Sequence, residues 1–447
     1  MSQQSDCAQR AASLFRESYG EGRINLLRAP ARINILGEHV DYVSYIPTAS
    51  LPFGSHEHQM VMAYAPLDDL EVEGASTLAD YDPFKFTFSE FADEAGRGTG
   101  WEEYIFGRPM PVAHWSNYIK GAVLYSRLRD PDKVRKGFRF TIDSTIPPRG
   151  GSSSSSAIVV LAGAAIRTVN NIEFQADQLA RESSKAEWYA GTRGGALDHT
   201  AICISKRWHA IALSYSDNTR EQVPLPGEDY RWVTFFTHEA DKGREVMLEY
   251  NERAAVSRLM IPVMLGKPVL EEARSLPEAV SLDQFAVQHP EAFHQCEKLF
   301  PALVRDRRSK MMKLRNRALH HFSETERVSA AVRLLRNNLN VDQEETAREL
   351  GRLIDQSHAS LRDLYDVSNK EVESLREILV SDPAVYGSRL MGGGFGGNIL
   401  ALIRSDDVEK VIDCVEAQYY GPRGRNCRTE KAVMVSTPGE GLSETRI

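Results

Sequence analysis

The sequence has few cysteines and no C-x-x-C spacing among them: Cys7, Cys203, Cys296, Cys414 and Cys427 are scattered and odd in number. That arrangement excludes a disulfide-stapled scaffold and a cysteine-based zinc module, and is expected of reduced thiols. Long apolar runs are missing too, so no segment reaches the roughly 20 residues that span a bilayer as a helix. The opening residues MSQQSDCAQRAASLF have neither a basic start nor a long apolar stretch, so export is not expected and a cytoplasmic location is. Positive charge is not in excess. The formal net charge of −8 argues against nucleic acid and anionic membrane surfaces as partners. Nor is there an internal repeat or a charged tail. What remains, 447 residues with 42% hydrophobic and 26% charged, suits a globular chain of two or three domains that handles a small molecule.

The stretch IPPRGGSSSSSAIVVLAGAAIRTV, Ile146 to Val169, carries the first functional signal. Pro148 fixes its own φ, Gly150 and Gly151 permit positive φ and close backbone approach, and a serine is expected to cap the helix that starts near Ala157. Free N–H groups and the helix dipole at such a turn suit a polyanion, and the serine hydroxyls add donors or a Mg²⁺ ligand. A flexible Gly/Ser linker is the alternative, although linkers rarely run directly into an alanine-rich apolar helix.

Periodicity gives the frame. Ala8 to Tyr19 reads as a helix, and RINLLRAPARINILGEH as two strands broken at Pro30. QMVMAYA, LEVEG, FKFTF, FRFTI and WHAIALSY read as further strands, and Val112 to Leu128 and Ala176 to Ala190 as helices. From about Arg231 a second unit begins. VTFFTH is strand-like, Arg244 to Leu265 helical, and the chain to about Asp382 mostly helical, including MMKLRNRALHHF and VDQEETARELGRLIDQ. NILALI, VEKVIDCVEAQY and KAVMVS supply a strand, a helix and a strand near the end. Boundaries are least defined in Ser55 to Met110 and Gly266 to Phe300, where proline and charge interrupt the patterns.

Two more stretches add chemistry. MGGGFGGNILALI, Met391 to Ile403, sets five glycines just ahead of a strand, whereas a dinucleotide-fold glycine turn opens a helix. Such glycine density means backbone packed against either a ligand or another chain segment. In RINILGEHVDY, Glu38, His39 and Asp41 follow a strand and a glycine, a grouping suited to a hydroxylated ligand because carboxylates accept from sugar hydroxyls.

In order and spacing, these three stretches resemble the three motifs of the GHMP kinases, and within that family the galactokinase branch. APARINILGEHVDY, WSNYIKG, EYNER and SHASLRDLYDVS are the segments most similar to that branch. The resemblance touches most of the chain from about residue 20 to 405. It implies an α+β, two-lobed fold: an N-terminal lobe of the ribosomal-protein-S5-like type, residues 1–220, and a C-terminal ferredoxin-like lobe with extra helices, residues 221–447. It further implies ATP and Mg²⁺ as cofactors and transfer of the γ-phosphoryl group to the anomeric C1 hydroxyl of galactose or a galactose-like hexose. A monomer is expected, with oligomers left open.

Residue by residue, the resemblance places the catalytic carboxylate at Asp198 in GTRGGALDHT, with Arg32 beside it. Glu38, His39, Asp41, Gly195 and Tyr250 match positions that contact the sugar in the family. Gly150, Gly151, Ser152, Ser153, Ser154, Ser155 and Ser156 would wrap the ATP phosphates, with Trp115 beside the adenine. Ser156, or less readily Ser155, and Glu187 would hold the metal. Ordinary readings stand beside these: core packing for Trp115 and Tyr250, an ion pair for Arg32, an exposed helix position for Glu187.

Departures from the branch cluster on the sugar side. VSYIPTASLPFG follows Tyr42 where asparagine and two glycines are usual, and RGGALDH stands for PCGIMDQ, bringing Arg193, Gly194 and His199 near the base. Ser152 and Ser153 stand where the family has glycine and leucine, and Asn398 replaces a common cysteine. Two alternatives accompany the sugar-kinase reading: a catalytically silent sugar and ATP sensor, and a GHMP kinase for another alcohol. The Glu38-His39-x-Asp41 cluster disfavours an acidic alcohol such as mevalonate, which would call for cations.

Overall fold

The computed structural model describes residues 3–79, 81–89, 100–147, 151–191, 194–239, 244–338 and 342–446. Within them the strands, in chain order, are β1 (Asn25–Asn34), β2 (Ala49–Ser50), β3 (Pro52–Pro66), β4 (Glu71–Ser76), β5 (Phe84–Thr87), β6 (Phe138–Ser144), β7 (His209–Ser214) and β8 (Arg220–Pro224). They continue with β9 (Tyr230–Phe236), β10 (Ala279–Ser281), β11 (Met311–Lys313), β12 (Val385–Met391), β13 (Asn398–Arg404), β14 (Val433–Ser436) and β15 (Ser443–Arg446).

The first sheet runs β15-β1-β3-β6-β4-β5. Its β3 alternates strictly and is covered on both faces. Val61, Ala63 and Ala65 meet Cys7, Ala11 and Phe15 of the Gln3–Tyr19 helix, while Met60, Met62 and Tyr64 join the main core. The expected break at Pro30 is not a break. β1 is one strand whose register against β3 shifts between Pro30 and Arg32, because a bulge accommodates the missing N–H without ending the strand. The Ser154–Val169 helix is apolar nearly all round and correspondingly buried, packed among the Ser116–Arg129, Ala176–Glu187 and Leu197–Ile204 helices. Gly121 lets the second of these approach: a methyl there would strike the Ala186 carbonyl. The helix expected from Val112 begins at Ser116, since Pro109 and Pro111 hold the preceding chain out of helical conformation.

β9, β12, β13 and β14 form the second sheet in the spatial order β12-β13-β9-β14, all antiparallel. Numbered along the chain this is 4-1-3-2, the order of a ferredoxin-like unit. Helices Gln343–Asp363 and Lys370–Ser381 cover it, the first starting at Asp342, whose carboxylate accepts from the Glu345 N–H at 2.9 Å. Between β9 and these helices lies a helical satellite with its own core of Leu259, Phe285, Phe300 and Leu303. The Arg244–Leu265 span enters it as Arg244–Ala255, a widened π turn at Val256–Met260 and a short Ile261–Met264 helix. Met311–Lys313, expected as helix, instead pairs with β10. The main core continues from the first sheet into the second: the Phe53 and Trp232 rings meet at a tilt of 56°, 5.7 Å apart, and Met391, Leu400 and Met434 belong to the same cluster as Met62 and Ile158.

Helix Gln343–Asp363 meets β12 backbone to backbone where Gly351 faces Tyr386 and Gly387. Gly351→Ala forces these elements apart and is expected to destabilise the protein by about 1–3 kcal/mol in urea unfolding; an unchanged midpoint would show that the helix can shift at no cost.

Candidate active site

The serine run meets the helix through an unusual residue. Ser153 occupies the N-cap position at φ 63°, ψ 41°, and makes no capping bond. Its hydroxyl donates instead to Asp198 Oδ2 at 2.5 Å, so the expected serine cap is absent and the first-turn N–H groups carry no side-chain acceptor. Ser153, Ser154 and Ser155 line a cleft of about 800 Å³, with Gly151, Arg32 and Asp198 on the same wall. Gly150 and Arg193 lie outside the described residues.

The glycine-rich loop joins β12 to β13 and forms the facing wall through Gly392, Gly393, Gly394, Gly396 and Gly397. It opens no helix, and four of its glycines, with Phe395, have positive φ. Two of its glycines pack against other chain segments. Gly392 would put a Cβ 3.4 Å from the Gly151 carbonyl across the cleft, whereas Gly394 packs on Val367, where the Phe395 N–H also donates at 2.7 Å. Trp115 also lines the cleft. It is 7% exposed, donates its indole N–H to the Asp82 carbonyl at 2.8 Å and stacks on Tyr81 at 5.1 Å, so it is both core residue and cleft wall.

Asp198 starts the Leu197–Ile204 helix, where the dipole favours a carboxylate. Arg32 reaches it from β1 immediately past the bulge, Nε to Oδ1 at 2.6 Å, and donates Nη1 to the Gly151 carbonyl at 3.2 Å. Burial pushes the Asp198 carboxyl up, but the Arg32 guanidinium, its hydrogen bond and the Ser153 hydroxyl outweigh that and hold it below its ordinary value. Behind the cleft, the Ser156 hydroxyl donates to Glu187 Oε2 at 2.9 Å, and His199 Nε2 stands 2.9 Å from the same oxygen. Ser156 and Glu187 are buried and do not line the cleft, which Ser155 does. Ser152 is turned to Asn398, whose Nδ2 donates to its hydroxyl at 3.0 Å.

The acidic segment is gathered beside this wall. Glu38 Oε1 accepts the Gly392 N–H at 2.8 Å and lies 2.8 Å from Arg389 Nη2. His39, at φ 59°, shares its Nδ1 with the Tyr42 hydroxyl at 2.9 Å, and its ring lies 6.0 Å from that of Tyr250. Burial and surrounding cations push His39 well below its usual range, so the imidazole is neutral. Asp41 Oδ2 accepts the Gly195 N–H at 3.1 Å. Sequence reasoning missed Arg389, Ser153's bond to Asp198, and the Tyr42, Tyr365 and Ser257 hydroxyls linked at 2.9 and 3.0 Å. Only Arg389 left a signal, as the one charge in the otherwise apolar and small run GSRLM.

Burial, reinforced by Asp198, pushes the Asp41 carboxyl up to about 6, partly offset by Arg258. A folded-state pKa raised above the unfolded value means the native state binds the proton more tightly, so this contribution favours folding at low pH and is lost as pH rises through about 6. Asp41→Asn is therefore expected to raise the Tm at pH 7.5 relative to wild type, with the difference shrinking toward pH 4. A difference that is flat with pH in paired thermal melts would remove Asp41 as the titrating group.

Three family models match: GHMP kinases N terminal domain over residues 117–206, GHMP kinases C terminal over 331–421, and the galactokinase galactose-binding signature over 13–48. Similar curated proteins include a galactokinase of Chloroflexus aurantiacus, 27% identical over 434 residues, covering 96% of this chain and 95% of that one. A galactokinase of Lactobacillus helveticus is 28% identical over 383 residues, covering 85% and 86%. In fold, the chain is similar to Lactococcus lactis galactokinase complexed with galactose, with TM-score 0.74, 24% identity and coverage of 98% and 99%. It is also similar, at TM-score 0.53 and 13% identity over 88% and 95%, to Methanococcus jannaschii mevalonate kinase. The chain thus carries the N- and C-terminal domains of the GHMP kinases together with the galactokinase galactose-binding signature.

Proposed function

We propose that the protein is a cytoplasmic sugar 1-kinase that transfers the γ-phosphoryl group of ATP to the anomeric hydroxyl of galactose or a galactose-like hexose, giving sugar 1-phosphate and ADP. The observation that carries this reading is Asp198, held by Arg32 and Ser153 where the serine and glycine walls of the cleft meet the acidic segment. The cleft would lie between an N-terminal lobe, residues 1–220, and a C-terminal lobe, residues 221–447. Among the described residues no helix is long and apolar enough to cross a membrane.

The donor side fits a nucleotide. Uncapped N–H groups at the start of the Ser154–Val169 helix and facing glycine backbone offer donors to phosphate oxygens without side-chain bulk, and Trp115 offers an aromatic face in the same cleft. Ser156 and Glu187 supply two converging oxygens, which suits Mg²⁺ because that ion takes few protein ligands and keeps waters. When bound, the metal would neutralise phosphate charge; Ser156 and Glu187 would hold it from behind the Ser155 wall, with their present 2.9 Å hydrogen bond opened.

On the acceptor side Asp198 would accept the C1-hydroxyl proton as the oxygen attacks phosphorus and the bond to ADP breaks. A carboxylate kept ionised by Arg32 is a weak base, yet it suffices where the transition state is loose and the proton moves late. Arg32 would also offset negative charge developing between acceptor and phosphoryl group. Glu38, His39, Asp41, Gly195 and Tyr250 would orient the sugar.

Asp198→Asn is expected to leave ATP affinity within about threefold and to lower turnover about 10²–10⁴-fold in a coupled ADP-release assay; unchanged turnover removes Asp198 from its role. In the same assay the wild-type protein should release ADP with a hexose and not with mevalonate or homoserine. Binding of sugar and ATP without any turnover would establish a sensor instead.

A further inference from the structure

The segment after Tyr42, where the sequence departs from the galactokinase branch, brings Tyr45 against the Arg315–Asn338 helix. There its hydroxyl lies 2.6 Å from His321 Nδ1. His321 Nε2 lies 3.2 Å from the Ser257 hydroxyl of the π turn, and that hydroxyl lies 3.0 Å from the hydroxyl of Tyr365. From Tyr365 the contacts run to the Tyr42 hydroxyl and from there to His39 Nδ1, each at 2.9 Å. Among the described residues these six side chains make no other hydrogen bond, so they form one line that ends in the acidic segment.

Such a line has two ordered states. Burial above all pushes both imidazoles well below their usual range, so each is neutral and carries one proton. Four hydroxyls and two neutral imidazoles hold six protons for five bonds, which leaves one proton over at an end. Either it stands on His39 Nε2 and every bond points from Tyr45 toward His39, or it stands on the Tyr45 hydroxyl and every bond points back. The two bonds of His321 choose between them. The 2.6 Å contact with Tyr45 has the length of an O–H donor and is shorter than N–H donors reach, whereas 3.2 Å to Ser257 suits an N–H donor and is long for a hydroxyl. Tyr45 therefore donates to Nδ1, His321 donates from Nε2, and the direction passes through Ser257, Tyr365 and Tyr42 to His39 Nδ1.

The other nitrogen of His39 is left for a ligand. Nε2 is buried and has no hydrogen-bond partner among the described residues, a state that costs free energy until an acceptor is supplied. The ring borders the cleft: it lies 6.0 Å from that of Tyr250, and a Cβ on Gly393 of the cleft wall would stand 3.7 Å from the Tyr250 ring. We infer that Tyr45 is a positioning residue that, through His321, holds the His39 proton on Nε2, so that His39 meets the sugar as a donor and selects an acceptor oxygen. An ammonium group offered at that point would meet a second donor and be refused. The inference rests on the sugar-kinase reading only for placing the sugar beside His39.

Long-range ¹H–¹⁵N spectra of histidine-labelled protein, with His39 assigned by its loss in His39→Gln, read the tautomer directly. Wild type should show His39 protonated at Nε2 and bare at Nδ1, and Tyr45→Phe should populate the reverse tautomer. In the ADP-release assay with D-galactose, Tyr45→Phe should raise the sugar KM about 3–10-fold, the loss of one neutral hydrogen bond, and leave the ATP KM within about twofold. A wild-type His39 protonated at Nδ1 overturns the inference whether or not Tyr45→Phe folds. A tautomer that Tyr45→Phe leaves unchanged also overturns it, as does an equal rise in both KM values. Tautomer control with weakened galactose binding but no ADP release leaves the inference standing and ends the kinase reading; galactose turnover with a tautomer indifferent to Tyr45 does the reverse.

Discussion

Arg389 carries a full charge where no water reaches, and that fact constrains the site from below. Its guanidinium donates to the Ile35 carbonyl at 3.0 Å and the Leu390 carbonyl at 2.9 Å, and its remaining nitrogen faces Glu38. A second fully buried carboxylate, Glu324, lies 4.0 Å away and accepts from the Gly37 N–H and the Ser357 hydroxyl at 2.8 and 2.7 Å. Stripping water from such groups is costly, and only tight mutual geometry offsets it. The consequence is architectural: β1's end, β12 and helices Arg315–Asn338 and Gln343–Asp363 are locked in one register because each contributes a partner to the same charge cluster. Since Glu38 also takes the Gly392 N–H, the acidic segment and the glycine loop cannot move independently.

That lock explains which parts of the molecule were legible in the sequence. Apolar runs located the Ser154–Val169 helix, β3 and the strand-helix-strand near the end, because elements buried on more than one face leave a local stretch of apolar residues in the chain. Local signals failed where a distant partner overrides a local rule. Ser153 is a good capping residue by type, but the Asp198 carboxylate, 45 positions on, takes its hydroxyl. Pro30 is a strand breaker by type, but a bulge opposite β3 absorbs it. Met311–Lys313 follows a helical pattern, yet β10 offers it a ladder.

The candidate site was legible to the extent that its residues cluster in short motifs. The acidic segment, the serine run and the glycine loop each announced themselves by composition, and the fold brings them to one cleft and its border. The residues that arrange them did not. Arg389 and Glu324 act through pairings between segments far apart in the chain, and the Tyr42, Tyr365 and Ser257 hydroxyls form a chain only once three elements meet. The roles of Glu38 show the difference. Its side chain was read as a sugar contact, and one of its oxygens is already committed to Gly392 and Arg389, so any contact with a sugar falls to what remains of the carboxylate.

Two carboxylates close to one another are driven apart in acidity by what flanks them. Asp198 raises Asp41, and burial raises both. Arg32 sits against Asp198 at 2.6 Å, within the first turn of a helix, and resolves the competition in favour of its ionised form. Asp41 accepts a backbone N–H from Gly195 and is lowered by Arg258 less than burial and Asp198 raise it, so its carboxyl stays up at about 6. Environments that separate a pair in this way assign them different work. In the proposed reaction the ionised member faces the reacting hydroxyl, where a negative charge can take a proton as the phosphoryl bond forms. The member poised near neutrality faces hydroxyls that only need orienting, and it can do so as an acceptor or, once protonated, as a donor.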